Sequence, residues 1–374
     1  MASGELTQRL PASLTPLDAA RAALLRDLAP VAPVALPLAE ALGGVAAEMP
    51  PLAEHPPRDV AAADGFALCA RDLVGASSYS PLPLPIAPVW VEAGDAMPEG
   101  CDCVIDADAV DRSGPLFQAL AEAIPGQGVR RAGGDIAQGN VISGGRKIGS
   151  LDVLIARIAG LETLNVRRVR LRIVNIPARG EAVTARLIAE SARGAGADVV
   201  CTEAAGREAA SIATALDPAG CDMLITIGGS GVGRTDATIA ALAQRGEVIA
   251  HGIALQPGPT AAAGRIGNVP VVALPGAPDQ ALAGWWTLVL PVLDALSGLR
   301  ARRKVTLPLS RKIASSVGMT EFVLLAGIEG QWMPLAVGEL PLDAIARADA
   351  WLAVPGGAEG FAAGTAVDAY MLRD

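Results

Sequence analysis

The sequence predicts a multidomain α/β plus β protein. A central three-layer α/β domain is flanked by an N-terminal helical and β linker region carrying a β lobe, and by a small C-terminal β domain. Length sets the domain count, because 374 residues are too many for one hydrophobic core and point to two to four. Between residues 167 and 300, apolar runs alternate with helix-length segments, the pattern of a mostly parallel sheet covered on both faces. On either side of that stretch the chain turns to short β-prone pieces punctuated by Gly and Pro, of which it has 42 and 28.

Taken in order, residues 17–28 (LDAARAALLRDL) and 36–47 (LPLAEALGGVAA) space apolar residues three and four apart. Two packing helices are expected there, separated by a proline-rich break. Residues 50–130 read as a mainly β lobe, with PVWVEAG and CDCVIDA as strands and one helix at 116–123. Gly-rich turns then lead to a helix at 151–159 that brings the chain back to the first region. The alternating stretch reads strand LRIVNI, helix 183–193, strand ADVVC, helix 206–216, strand DMLITI, helix 235–245, strand VPVVAL, helix 278–296. After the basic LRARRK hinge at 299–304, the segments VTLPL, EFVLLAG, WLAVP and AVDAYML read as a small β domain. The expected boundaries are 1–50 with 130–166 for the linker region, 51–129 for the β lobe, 167–300 for the α/β domain and 301–374 for the C-terminal domain.

Composition narrows the partners. With 51% apolar and 18% charged residues the chain is far too apolar for a disordered protein. A net charge of −9 argues against nucleic acid or an anionic membrane as a general partner. Any anionic ligand needs a local site. Five Cys and two His fit neither a disulfide framework nor a zinc site, and MASGELTQRLPASL lacks the pattern of a signal peptide, so a cytoplasmic protein is expected. The apolar run 281–293 is too short to span a bilayer and reads as a buried helix, with Trp285 and Trp286 in the core.

The strongest local feature is DMLITIGGSGVGRTDATIAALA, residues 222–243, in which an apolar strand runs into a glycine loop, with Thr235 and Asp236 opening a helix. Gly228, Gly229, Ser230, Gly231 and Gly233 expose backbone amides beside a helix N-terminus, a receptor for phosphate or another anion. The loop lacks the Gly-Lys-Ser/Thr of a Walker loop. Glycine serving the turn alone, and Asp236 as a capping acid, are the ordinary alternatives. A second loop, ALPGAPDQALAGWW with Pro275 and Gly276, and a third, IALQPGPTAAAGRIG with Pro257 and Gly258, could face the same crevice at the sheet's carboxyl ends. In the β lobe and linker, Asp64 precedes Gly65 and Asp135 sits in RRAGGDIAQG. Two such carboxylates could hold Mg²⁺, although Asp-Gly is first of all a turn dipeptide.

In their order along the chain, PLAEALGGVAAEM (37–49), ADGFAL (63–68), GDAMPEGCDCVI (94–105), RRAGGDIAQGNVI (130–142), IGGSGVGRTDAT (227–238), QPGPT (256–260) and LPGAPDQAL (274–282) resemble the molybdopterin molybdenumtransferase family. These are molybdate-inserting enzymes that include bacterial MoeA and the gephyrin E domain. The resemblance implies a homodimer whose α/β domain binds molybdopterin. It also implies a cleft, completed by the partner subunit, in which adenylylated molybdopterin is hydrolysed with a divalent cation and molybdate is inserted, for delivery to an apo molybdoenzyme client. Asp64, Asp135 and Asp236 match family carboxylates and would be catalytic and hold Mg²⁺, and Glu181 matches an acid in a loop otherwise lost. The loop residues 228–231 and 233, Thr235, Pro257, Gly258, Pro275 and Gly276 would bind the cofactor.

The chain departs from the family in its positive charge. Gln256-Pro257-Gly258-Pro259-Thr260 stands where the family has Lys-Pro-Gly-Lys-Pro, GMTEFVL at 318–324 replaces an Arg-containing segment, Gly338-Glu339 replaces Gly-Ser, and Ala93 replaces a hydroxyl. Drift toward Arg, with three Lys among the 30 basic residues, would have kept charge at the lysine positions. Arg234 and Arg265 are the nearby candidates for replacement, with a solvated surface role as the alternative. The departures leave open a second reading, a family member that binds or carries molybdopterin for a client without inserting molybdate, and a remoter one, an unrelated phosphorylated ligand in the same crevice.

Overall fold

The structure, a computed structural model, describes residues 8–112, 116–139 and 142–372. The first seven residues of the N-terminal stretch, and Asn140 and Val141 of the RRAGGDIAQGNVI segment, lie outside the described residues.

The first expected helix forms as Leu17–Leu25, burying Leu17, Ala20 and Leu24 at three- and four-residue intervals. Its carboxyl end is closed from a distance, where the Arg265 guanidinium donates to the carbonyls of Ala23, Leu24 and Arg26. A cation on those unpaired carbonyls also complements the helix dipole. Arg265 is therefore neither a replacement cation for the crevice nor a solvated surface charge.

The expected helix at 36–47 is a correction. Val34–Pro37 and Val45–Ala46 are strands, both pairing antiparallel with Thr163–Arg167, and only Leu38–Ala41 makes a single helical turn between them. Gly43 takes φ +79°, where the chain reverses and helix cannot continue. The expected helix at 116–123 is a second correction. Gln118–Ala121 is a strand paired with Ser77–Pro83, because burying Ala119 fully in the lobe's core outweighs the segment's helical composition. Elsewhere the lobe is β as expected, with Gly65–Leu68 lying between Val89–Val91 and Cys103–Ile105. The helix Ser150–Ile158 follows, close to the expected 151–159.

The α/β region holds a six-stranded sheet in the order Asp198–Glu203, Arg170–Asn175, Met223–Ile227, Val269–Leu274, Ala262–Ile266, Glu247–His251. The first four are parallel and the last two antiparallel. Val183–Gly194 and the continuous helix built from Pro278–Gly284, a π turn at Trp285–Val289 and Leu290–Ser297 pack on one face. Ala209–Ala215 and Thr238–Arg245 pack on the other. Met223–Ile227 is buried at every position, as a strand covered on both sides must be.

Seven strands make the C-terminal sheet, and two of them come from outside the C-terminal segment. Ile253–Gln256 pairs parallel with Thr320–Ile328, setting Gln256 opposite Glu321, and Thr15–Pro16 pairs with Ile253–Gln256. Trp285 is buried in the core, while half-buried Trp286 opens a stack that runs through Phe322, Trp351 and Tyr370, with centroid spacings of 5.1, 4.9 and 4.6 Å. Arg302 grips Asp294 through two nitrogens at 2.7 Å, and burial pushes the Asp294 carboxyl above its ordinary pKa despite that partner. Among the described residues no helix is long and apolar enough to cross a membrane.

Candidate functional site

Four parallel strands end on the same side, and the loops that follow them enclose a crevice of about 410 Å³. Its walls include Asn175 to Pro177, Glu181, Glu203, Arg207, Gly228 to Gly231, Asp236, Thr260, Pro275, Gly276 and Gln280. This is the position at which open α/β sheets bind ligands. Gly228 and Gly276 let two loops meet, since a Cβ on Gly276 would stand 3.6 Å from the Gly228 Cα. Thr184, in the first turn of Val183–Gly194, donates through Oγ1 to the Gly276 carbonyl at 2.6 Å and fixes the second loop.

The glycine loop is held by its carbonyls. Thr238 donates through Oγ1 to Gly228 O and through its amide to Gly229 O, both at 3.0 Å. Gln8 donates through Nε2 to Gly229 O at 3.0 Å and Gly231 O at 2.8 Å, while its Oε1 accepts the Ile239 amide. His251 Nε2 lies 3.0 Å from Ser230 O, and since a carbonyl only accepts, that nitrogen carries the proton. Neither Gln8, Thr238 nor His251 borders the crevice. In a trans peptide the next N–H points opposite to the carbonyl, so the amides of Gly229, Ser230, Gly231 and Val232 are turned away from these partners. Three of those four residues line the crevice. Ser230 is fully buried, borders the crevice, and its Oγ has no hydrogen-bond partner among the described residues. An unsatisfied buried hydroxyl beside a row of amides fits an anionic ligand's oxygen, and costs stability unless something satisfies it.

Asp236 is spent locally. Its Oδ1 accepts from Arg207 Nη2 at 2.7 Å and its Oδ2 from the Gly233 amide at 3.0 Å. It does not open the following helix, which begins at Thr238 with Ala237 as N-cap. Thr235 likewise lies before the helix, where its Oγ1 accepts from Arg207 Nε. Glu181 borders the crevice and pairs loosely with Arg186 at 3.5 Å. Gly233 and Thr235 do not line the crevice.

The other expected residues are not brought to this crevice. Asp64 accepts the Ala93 amide at 2.8 Å and Asp135 pairs with Arg130 at 3.2 Å, both in the N-terminal part of the molecule. Among the described residues no three His, Cys, Asp or Glu side chains converge to hold a metal, so a single chain does not assemble the three-carboxylate Mg²⁺ set. Pro257 borders a separate hollow of about 520 Å³ with Gln256, Asp279, Gln280, Gly338 and Glu339. The positions where the sequence lost a lysine and a hydroxyl therefore meet in one place, and its charged walls are both acids. Gln280 borders both spaces, and Gly258 packs against its backbone, with a Cβ there 3.1 Å from Gln280 O.

Sequence reasoning missed Gln8, Thr184, Arg207 and His251. For Arg207 a signal existed, because a residue just after a parallel strand faces the same mouth as every other such loop. Gln8 and His251 carry no local pattern and act only through the tertiary fold.

Comparison with known proteins extends these observations over most of the chain. Residues 15–160 match the family model for the MoeA N-terminal region (domain I and II), and residues 160–295 match that of a probable molybdopterin binding domain. Molybdopterin molybdenumtransferase 2 of Mycobacterium tuberculosis is 30% identical over 312 residues, covering 71% of this chain and 76% of that protein. The molybdopterin molybdenumtransferase of Haemophilus influenzae is 29% identical over 327 residues, 77% of this chain and 79% of its own length. In fold, the molybdopterin biosynthesis moeA protein of Pyrococcus horikoshii OT3 superposes with a TM-score of 0.72 at 22% identity, over 96% of this chain and all of that one. Two consecutive family models cover residues 15–295, the second of them containing every residue that borders the crevice, and together with a 30% identical relative that covers 71% of the chain they show that the chain belongs to the molybdopterin molybdenumtransferase family.

Proposed function

We propose that this chain works in molybdenum cofactor biosynthesis as a molybdopterin molybdenumtransferase, taking adenylylated molybdopterin into the crevice, where water hydrolyses the adenylate off its phosphate and molybdate is inserted at the dithiolene. The observation that carries the reading is the glycine loop, whose Gly228 to Gly231 carbonyls are engaged from behind while the buried Ser230 Oγ has no partner among the described residues. The loop amides would hold a phosphate of the substrate, with the Ser230 hydroxyl donating to one of its oxygens. The names of the relatives support a transferase over a carrier.

Mg²⁺ would neutralise phosphate charge as the adenylate leaves, held by Asp236 together with Asp64 and Asp135 of a second subunit. Support for a homodimer comes from the helix Ser150–Ile158, whose Leu151, Leu154 and Ile158 are 71, 49 and 39% exposed and fall on one face. The five free cysteines agree with a reducing, cytoplasmic setting, where an apo molybdoenzyme would receive the product.

The test is a time course of adenylylated molybdopterin with purified protein, Mg²⁺ and molybdate, read by loss of the adenylate and by activation of an apo molybdoenzyme. Molybdate-dependent consumption is expected. Binding without consumption would make the chain a carrier, and no binding of any pterin would remove both readings.

A further inference from the structure

Of the residues bordering the crevice, Arg207 is the sole Lys or Arg among those described, set against Glu181, Glu203 and Asp236. An anion entering a space with three acids and one cation depends heavily on that cation. Arg207 reaches the crevice from the short connection between the strand Asp198–Glu203 and the helix Ala209–Ala215.

Its guanidinium is held at three points. Nε donates to Thr235 Oγ1 at 3.0 Å, Nη1 to the Pro177 carbonyl at 2.6 Å and Nη2 to Asp236 Oδ1 at 2.7 Å. These partners come from two further loops of the crevice, so the fork is oriented before any ligand arrives. A guanidinium has five N–H groups. Three are engaged, and one remains on each Nη nitrogen. The side chain borders the crevice and as a whole keeps 32% exposure, so it is not sealed in protein. Two N–H groups on a fixed planar fork match two oxygens of a phosphate.

We propose that Arg207 is the residue that clamps the ligand's phosphate or pyrophosphate in this crevice, with Thr235, Asp236 and the Pro177 carbonyl as its positioning groups. The proposal rests on the functional reading above for the ligand's identity and on geometry alone for its charge. It also gives Asp236 a role that is independent of metal, orienting a cation.

The test is the affinity of inorganic pyrophosphate for the full chain, by calorimetry in Mg²⁺-free buffer at several salt concentrations. Charge-assisted hydrogen bonds are worth about 1.5 to 3 kcal/mol each, so Arg207→Gln is expected to weaken Kd by about 10- to 100-fold and to flatten its salt dependence. Arg207→Lys keeps the charge and loses the fork, so the salt dependence should return while affinity stays below wild type. If Arg207→Gln does not fold, the Lys variant decides, because wild-type affinity there overturns the clamp. Unchanged affinity in Arg207→Gln, or no pyrophosphate binding by the wild type, overturns it as well. Pyrophosphate held through Arg207 with no binding of molybdopterin would leave the inference standing and remove the proposed function. Molybdopterin bound equally by Arg207→Gln would do the reverse.

Discussion

The crevice of the α/β region and the loops of the N-terminal lobe carry the same kind of sequence signal, an acid set among glycines, and the structure treats them in opposite ways. In the crevice, Asp236 is 17% exposed and both of its oxygens are taken, by Arg207 and by the loop's own amide. Near the lobe, Asp135 is 35% exposed and among the described residues pairs with an Arg that is itself 53% exposed, and Asp64 accepts one amide. One acid is held by two partners beside its own crevice, and the others are exposed. If the crevice amides and the outward carboxylates serve one phosphate-and-metal centre, as proposed, two copies of the chain must bring them together.

The strongest break of that comparison is complementation. Asp64→Ala and Asp236→Ala are each expected to lower cofactor insertion by about 10- to 100-fold, as loss of groups around a metal does. Mixed after co-refolding, the two impaired variants should recover about a quarter of wild-type turnover, because half of the dimers are mixed and each of those has one intact site. No recovery on mixing would mean that the outward acids do not serve a neighbour's crevice. A smaller effect separates the regions by their glycines. A Cβ on Gly229, at φ +69°, would lie 2.4 Å from Thr238 Oγ1, and one on Gly65 would lie 2.3 Å from the Ile105 carbonyl. Both alanine variants should melt lower, by about 1 to 3 kcal/mol of stability. Only Gly229→Ala should also lose pyrophosphate binding, and equal loss in Gly65→Ala would mean that the lobe contributes to the anion site.

Legibility in the sequence followed the range of the forces involved. Met223–Ile227 and Val269–Leu274 were readable because a strand buried on both faces must be apolar throughout, and the loops after them because glycine and proline mark turns by local sterics. Ile253–Gln256 was invisible as a strand, since its partner Thr320–Ile328 lies more than 60 residues away and nothing local specifies the pairing. The helix expected at 36–47 failed for the opposite reason. Its apolar spacing is truly helical, but Gly43-Gly44 interrupts it and the flanking pieces find a shared partner in Thr163–Arg167. In the crevice, the glycines and Asp236 were visible as a motif. The groups that orient them, Gln8, His251 and Arg207, were not, because each acts across 21 to 223 residues of sequence.

The cysteines offer the finest comparison of the two regions, through chemistry that touches neither site. Cys103 is buried in the lobe, where burial pushes its thiol up to about 11, and Cys221 is buried under the α/β sheet with its thiol also raised by burial. Cys201, on the edge strand Asp198–Glu203, is exposed. At pH 8 a thiol with a pKa near 11 is thiolate in only about one molecule in a thousand, so iodoacetamide should modify Cys201 first and leave Cys103 and Cys221 intact while the protein is folded. Raising the pH toward 11 increases the Cys103 thiolate even in the closed lobe, whereas unfolding returns the thiol to its ordinary range and makes it reactive at pH 8. The lobe rests on small hydrophobic clusters and the α/β sheet on the largest one in the molecule. Mass-resolved labelling across a urea series is therefore expected to expose Cys103 at lower denaturant than Cys221. Coincident midpoints would show that the lobe and the crevice domain open as one unit.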